Sequence, residues 1–302
     1  MKKRQRNKML TLFIAVVLLI LVTSSVITQI FSKKFLTDIA NAMETVLSAH
    51  ANKKSNTAFT YDFSSNETLK EASSITNSTD PNWWLSSGGY FYMNHNIGET
   101  TQGALPTNDP WRIKYLRTNP VDTDHGYYPQ NIFRLVSKNQ WLNYQQQVYY
   151  QINKDKLSSS PRRNASNGLF LFNRYQDQDN LYYTGVRVDG TAVIKKKIHG
   201  TYYTMAYKQY FSGSPYNINT NPNLLPKNAW LGLRSIVTTN PDGTVGIKLF
   251  VDNGKTGNWI LAVSATDDGK SYGGAVLNNY GHLGIRTDFM DVEFSDYEVK
   301  PL

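Results

Sequence analysis

The sequence predicts an all-β body that follows a short hydrophobic N-terminal segment. The 302-residue chain is rich in residues typical of strands and turns, with 20 Tyr and 20 Gly. After residue 57, short runs of alternating apolar and polar residues recur, separated by stretches that contain Gly, Pro, Asn or Asp. Helical periodicity is scarce in that part of the chain. About eleven such runs in one continuous body predict a sandwich or jelly roll of two antiparallel sheets.

The clearest runs lie in residues 181–207, where an Asp-Gly pair and a His-Gly pair separate three strands. Gly supplies the positive φ that two-residue hairpin loops need. Two such loops would set Val188 opposite Thr191 and Ile198 opposite Thr201. A core face would then carry Leu181, Tyr183, Arg187, Ile194, Lys196, Ile198, Tyr203 and Met205, and a solvent face would carry Tyr182, Thr184, Val186, Val193, Lys195, Lys197, Tyr202 and Thr204.

The N-terminal segment is typical of a membrane anchor. Residues 1–8 hold five Lys or Arg and precede an uncharged, mostly apolar run over residues 9–31. About 20 helical residues span a bilayer core. Basic residues before the span favour a cytoplasmic N-terminus, which would place the body outside the cytoplasm. A cleaved signal peptide is the alternative, with Thr23, Ser24 and Ser25 as candidate cleavage sites.

Residues 32–55 predict a stalk. Phe35, Ile39, Met43 and Leu47 recur every four residues, which indicates a short amphipathic helix. The predicted order is therefore a cytoplasmic basic segment (1–8), a transmembrane anchor (9–31), a stalk (32–55) and a β-sandwich (56–302).

Composition excludes several classes of function. The net charge is +9, but residues 1–54 alone hold nine basic and two acidic residues, so the body is close to neutral. A nucleic-acid partner is therefore not expected. The chain has no Cys, which excludes a disulfide framework, a thiolate zinc site and a cysteine nucleophile.

Two segments resemble concanavalin A-like lectin and glucanase domains: RYQDQDNLYYTGVRVDGTAVIKKKIHGTYYTMA and the closing GHLGIRTDFMDVEFSDYEV. The stretch from Trp230 through LFVD also resembles laminin-G-like and family-16-glycosidase-like members. The resemblance covers roughly residues 56–302 and implies a concanavalin A-like jelly roll. That fold hosts lectins, hydrolases, lyases and adhesion modules.

The catalytic patterns of these families are not matched. Family-16 hydrolases carry an E-x-D-x-E strand, and the nearest string here is Asp291-Val292-Glu293. That string lies in the closing strand, where Val292 and Phe294 are expected to fill the core, with the acids facing water. The alginate-lyase-like members carry a Q-I-H strand, whereas His199 falls in a hairpin turn.

Three successive lysines, Lys195 to Lys197, are the main candidate for chemistry. They would suit a solvated face, an acidic glycan, or a β-elimination in which a cation stabilises the enolate and a Tyr carries the proton. All three interpretations stay open. The candidate carbohydrate-binding residues are Arg134, Tyr182, Arg187, Lys195, Lys197 and Tyr202.

The resemblance to the hydrolases also implies a structural calcium held by the closing strand. The matching residue is Asp296, with Asp62 as a candidate partner. The alternative is that Asp296 caps a turn or pairs with a neighbouring side chain.

These observations predict a membrane-anchored, extracytoplasmic domain that binds an acidic or cell-surface polysaccharide in a groove on one sheet. A polysaccharide lyase or glycoside hydrolase on the same fold is the second hypothesis. A structural or adhesion module is the third.

Overall fold

The computed structural model describes residues 33–39, 41, 53–155, 157–213 and 215–302. The predicted anchor, residues 9–31, lies outside this set. Residues 33–39 are helical. The stalk over residues 32–55 stays a prediction. Within the described ranges, no helix has both the length and the apolar character needed to cross a membrane.

The unit from Ala51 to Leu302 is built of strands with one short helix. Its described elements are β1 (Lys53–Lys54), β2 (Phe59–Tyr61), β3 (Thr68–Lys70), β4 (Trp83–Ser87), β5 (Tyr90–Asn94), β6 (Ile97–Thr100), α1 (Pro110–Thr118), a 3-10 turn (Pro129–Asn131), β7 (Ile132–Trp141), β8 (Tyr144–Asp155), β9 (Gly168–Asp177), β10 (Asn180–Arg187), β11 (Thr191–Ile198), β12 (Thr201–Gln209), β13 (Trp230–Thr239), β14 (Val245–Asn253), β15 (Ile260–Asp267), β16 (Gly281–Asp288) and β17 (Met290–Pro301).

The strands form two sheets, which confirms the predicted sandwich. The first sheet has the order β1-β7-β16-β9-β10-β11-β12, with β4 also paired to β7. The second has the order β15-β14-β13-β8-β17-β6-β5-β3, with β2 also paired to β17. Neighbouring strands are antiparallel except β1, which runs parallel to β7. Because β1 belongs to the first sheet, the body begins a few residues before the predicted boundary at residue 56.

The core lies between the two sheets and is filled from alternate positions of their strands. Leu135 and Ile285 of the first sheet and Val292 and Phe294 of the second are fully buried in one cluster. The prediction for Val292 and Phe294 is therefore confirmed. The prediction that both acids of that string face water is wrong for Asp291, which is buried and accepts a hydrogen bond from Gln130 Nε2 (2.8 Å).

The helix α1 was not predicted from the sequence. Pro110 occupies its first turn, and Asp109 Oδ1 accepts hydrogen bonds from the backbone N–H groups of Trp111 (2.7 Å) and Arg112 (3.3 Å). Both features are typical of a helix start. The nine-residue helix has no strong apolar stripe, which explains why periodicity gave no signal.

The first hairpin of the 181–207 stretch differs from the prediction by one residue. Val186 pairs with Ala192, so the loop has three residues, Val188 to Gly190, rather than two. Gly190 has φ +80°, the left-handed conformation that closes such a loop. The second hairpin pairs Ile198 with Thr201, as predicted.

A one-residue change of register moves every side chain of β10 to the opposite face. Tyr182 and Val186 therefore point into the core, and Tyr183 and Arg187 lie on the face that carries Lys195. The face predictions for β11 and β12 are confirmed, and the one for β10 is wrong.

A fully buried ion pair joins the two sheets at one side of the sandwich. Lys196 Nζ of β11 lies 2.8 Å from Asp267 Oδ2 at the end of β15, and neither side chain is accessible to solvent. The ammonium also donates to the carbonyls of Gly274 and Ala275, each at 2.8 Å. The Tyr182 hydroxyl donates to the same Asp267 oxygen (2.5 Å). All three ammonium protons therefore have acceptors, which is the condition for a stable buried charge.

We expect Lys196→Met to lower the free energy of unfolding by about 3–5 kcal/mol, because it leaves the Asp267 carboxylate buried without its cation. The matched control is Lys197→Met. Lys197 pairs with Asp179 at the surface (3.0 Å), and such a pair contributes about 0–1 kcal/mol. Urea unfolding of the full-length chain, followed by tryptophan fluorescence, measures both changes. Equal unfolding midpoints for the two variants would contradict the structural role of the buried pair.

Candidate functional site

The face of the first sheet that points away from the second sheet has an apolar cluster of its own. The strand β9 produces it, because its apolar residues follow one another instead of alternating. Leu169 and Leu171 enter the core, and Phe170 and Phe172 enter the second cluster. We call this side of the first sheet the outer face. The buried members of its cluster are Val136, Phe170, Phe172, Tyr175, Leu181, Tyr183 and Val193, with Trp84 packed against them.

Two arginines lie side by side on the outer face and share one carboxylate. Arg134 of β7 and Arg286 of β16 are directly paired residues. Arg134 Nη2 lies 3.1 Å from Asp288 Oδ1, and Arg286 Nη2 lies 3.0 Å from Asp288 Oδ2. Arg286 Nε also donates to both oxygens of Asp288. The three side chains together carry a net positive charge.

Arg286 also covers part of the apolar cluster. Its guanidinium carbon lies 5.3 Å from the ring centre of Phe170 and 5.6 Å from that of Tyr183. Such cation–π contacts let a charged group lie on apolar surface at little cost. Sequence reasoning missed Arg286. The available signal was strand alternation, which places Arg286 on the same face as Asp288, two residues later.

Lysines and tyrosines of β11 and β12 form the other side of the outer face. Tyr202 packs edge-on against Tyr183, with ring centres 5.9 Å apart. Lys197 Nζ lies 4.9 Å from the Tyr202 ring centre and Lys195 Nζ lies 6.0 Å from it. Lys197 pairs with Asp179. Lys195 forms no ion pair with any carboxylate of the described residues.

Lys195 pairs with Tyr183, the residue whose ring Arg286 covers, so these cations share one part of the outer face. Burial lowers the pKa of Lys195, and the nearby Arg187 and Arg286 lower it further. Burial and Arg286 lower the pKa of Arg134 to about 10, so the guanidinium stays charged at neutral pH. Burial raises the pKa of Tyr183 although Arg286 opposes the shift. Tyr183 is therefore a neutral phenol at neutral pH, able to donate a hydrogen bond but not to act as a base.

The structure brings together five of the six predicted carbohydrate-binding residues. Arg134, Arg187, Lys195, Lys197 and Tyr202 all lie on the outer face. Arg187 is held by Asp189 (2.7 Å) at the end of β10.

Tyr182 is the exception. It is fully buried in the core, and its hydroxyl donates to Asp267, so it cannot contact a ligand on the outer face. The neighbouring Tyr183 occupies the position that the sequence analysis assigned to Tyr182. The physical reason is the three-residue hairpin loop.

The two residues expected to hold calcium are already engaged. Asp62 Oδ1 accepts hydrogen bonds from the backbone N–H (3.1 Å) and the hydroxyl (2.7 Å) of Ser64. Asp296 pairs with Lys255 (2.6 Å), which is the alternative considered for it. Calcium takes six to eight oxygen ligands. Over the described ranges no group of three or more His, Asp or Glu side chains could hold a metal. The calcium site stays a prediction without support from this geometry.

Comparisons with known proteins concern the fold. No family model matches the chain, and no curated protein matches it. Among solved structures, a carbohydrate-binding module of Bacillus subtilis is 12% identical, with a TM-score of 0.44 over 72% of this chain and 94% of that one. A β-glucanase of Bacillus licheniformis is 10% identical, with a TM-score of 0.43 over 82% of this chain and 99% of that one.

A GH43 protein of Bacillus licheniformis is also similar, at 10% identity and a TM-score of 0.42 over 80% of this chain. The match covers 38% of that protein, so this chain spans less than two-fifths of its length. The two-sheet architecture of the body is that of an antiparallel β-sandwich. Since each of these TM-scores is below 0.5, none supports a statement about what this chain binds.

A buried histidine lies at the end of β16 next to the apolar cluster. His282 pairs with Tyr175 of β9 and Gln140 of β7. Its Nδ1 lies 2.8 Å from the Ser137 carbonyl and its Nε2 lies 2.9 Å from Gln140 Nε2. A neutral ring satisfies both contacts, donating from Nδ1 and accepting at Nε2. Burial lowers the pKa of His282 below 6.5.

We therefore expect the wild type to lose stability as the pH falls below about 6.5, because the unfolded chain binds a proton there that folded His282 does not. The contribution of neutral His282 to the free energy of unfolding is complete above its pKa in the unfolded chain. It decreases as the pH falls toward the lower pKa of the folded chain. His282→Gln removes this titration, so its free energy of unfolding should change less between pH 7 and pH 5. Urea unfolding at several pH values measures both slopes. Parallel slopes would show that His282 titrates normally.

Proposed function

We propose that the outer face binds an anionic polysaccharide. The observation that carries the proposal is that Arg134, Arg286 and Lys195 lie together on one apolar, aromatic face. Asp288 neutralises one of the two guanidiniums, and Lys195 has no carboxylate partner among the residues described. The centre of the outer face therefore has an excess of positive charge.

Each part of the outer face matches one part of an acidic sugar. Arginine donors pair with carboxylate or sulfate groups in fixed geometry, and ammonium groups act as point charges. Aromatic rings such as Tyr202 offer flat surfaces to the apolar side of a sugar ring. A polymer that carries acid groups on its sugars would use both kinds of contact at once.

Binding fits the outer face better than glycoside hydrolysis. A retaining or inverting hydrolase needs two carboxyl groups on either side of the scissile bond. The carboxylates identified here, Asp179, Asp189 and Asp288, are each held in an ion pair with a cation. A lyase would need a phenolate or another base, and the raised pKa of Tyr183 makes it unsuited to that role.

We also propose that the chain is anchored in a membrane with its body outside the cytoplasm. The uncharged apolar run over residues 9–31 and the basic residues before it support this arrangement. Protease protection of the chain in sealed inverted vesicles, whose outer surface is the cytoplasmic one, tests it. Digestion of residues 56–302 before detergent opens these vesicles would contradict it.

We expect Lys195→Gln to weaken retention by an anionic polymer at least about tenfold, because a hydrogen bond to a charged group contributes about 1.5–3 kcal/mol. The control is Lys248→Gln on the second sheet, an exposed lysine that should change retention by less than about twofold. Affinity electrophoresis of the full-length chain in polygalacturonate, alginate, chondroitin sulfate and a neutral glucan measures retention.

New reducing ends and absorbance from unsaturated uronates are followed in the same samples. Retention without products supports a binding domain. Products would establish an enzyme instead, and equal retention in neutral and anionic polymers would contradict the role of the cations.

A further inference from the structure

One aromatic side chain on the outer face is exposed far more than the others. Tyr207 of β12 is 73% exposed, compared with 50% for Tyr202. Large exposed aromatic residues on an open sheet edge favour aggregation, and β12 is the last strand of the first sheet. Because its side chain is so exposed, Tyr207 does not stabilise the core by packing.

Tyr207 and Tyr202 lie on the same side of β12. Tyr202 pairs with Lys197, and Tyr207 pairs with Val193, a member of the outer-face cluster. The two tyrosines are five positions apart in the sequence, and simple alternation would place them on opposite faces. A bulge at Met205 inserts one extra residue into β12 and returns Tyr207 to the outer face.

The bulge produces a row of ligand-accessible groups along the edge strand. Their partners on β11, Lys197 and Val193, are four residues apart, so the two positions lie about 13 Å apart along the strand at its usual rise. Lys195 lies between them, opposite Thr204 on β12. Along the strand, the ring of Tyr202 is therefore followed by the ammonium group of Lys195 and then by the ring of Tyr207.

We propose that the polysaccharide lies along β12 and that Tyr207 is a second stacking position, distinct from the one at Tyr202. This inference rests on the proposed function. Its ligand is an extended anionic chain long enough to reach both rings, with an acid group between them at Lys195. A mono- or disaccharide reaches the Tyr202 end alone.

The test uses the full-length chain and oligomers of increasing length, from two to about eight sugars. They are prepared from whichever of polygalacturonate, alginate or chondroitin sulfate the wild type retains. Competition of each oligomer against the polymer gives its relative affinity. The wild type should gain affinity as the oligomer becomes long enough to span both tyrosines.

Tyr207→Ala should remove about three- to tenfold of this gain, the usual contribution of an aromatic contact, and leave the shortest oligomers unchanged. Tyr207→Phe should keep the gain, since stacking needs the ring and not the hydroxyl. Tyr202→Ala should weaken short and long oligomers alike.

A Tyr207→Ala variant that keeps the wild-type gain with length, or that weakens all lengths equally, overturns the inference and leaves the proposed function in place. A wild type that retains none of the anionic polymers overturns the proposed function itself, and this inference with it.

Discussion

The buried pair of Lys196 and Asp267 is the interaction on which the rest of the sandwich depends. It connects a strand of the first sheet with a strand of the second and holds the carbonyls of residues 274 and 275 against the core. Tyr182 joins the same network through its hydroxyl. A buried charge is stable only when its partners are fixed. The need of Lys196 for its buried partner therefore sets which face of β11 points inward. It also sets that Lys195 and Lys197 remain outside.

The outward position of Lys195 and Lys197 follows directly, because neighbours in a strand alternate. The same alternation places Tyr183 beside them and puts Phe170 and Phe172 under the arginines. The same strand register thus determines which residues lie in the core and which lie on the outer face. A change that moved Lys196 out of the core would also move the candidate site into it.

The sequence was sufficient for the two-sheet body, the second hairpin and the faces of Lys195, Lys197 and Tyr202, because each depends on local alternation or turn chemistry. It was not sufficient for Tyr182. An Asp-Gly pair closes both two-residue loops and three-residue loops with glycine in the left-handed position, and the choice depends on packing elsewhere.

Arg286 and the ion-pair partner of the inward-facing Lys196 were missed for a related reason. A charged residue within a strand looks solvated until its partner is known, and Asp288 and Asp267 are partners that only the fold brings into contact. The position of Tyr207 depends on a bulge, which leaves little trace in a sequence.

The carboxylate shared by Arg134 and Arg286 affects the entropy cost of binding a ligand. A free arginine side chain has on the order of 2 kcal/mol of rotamer entropy to lose when it is immobilised. Asp288 is buried between the two guanidiniums and holds both before any ligand arrives. The loss is therefore incurred once, during folding, and association begins from a rigid pair of donors.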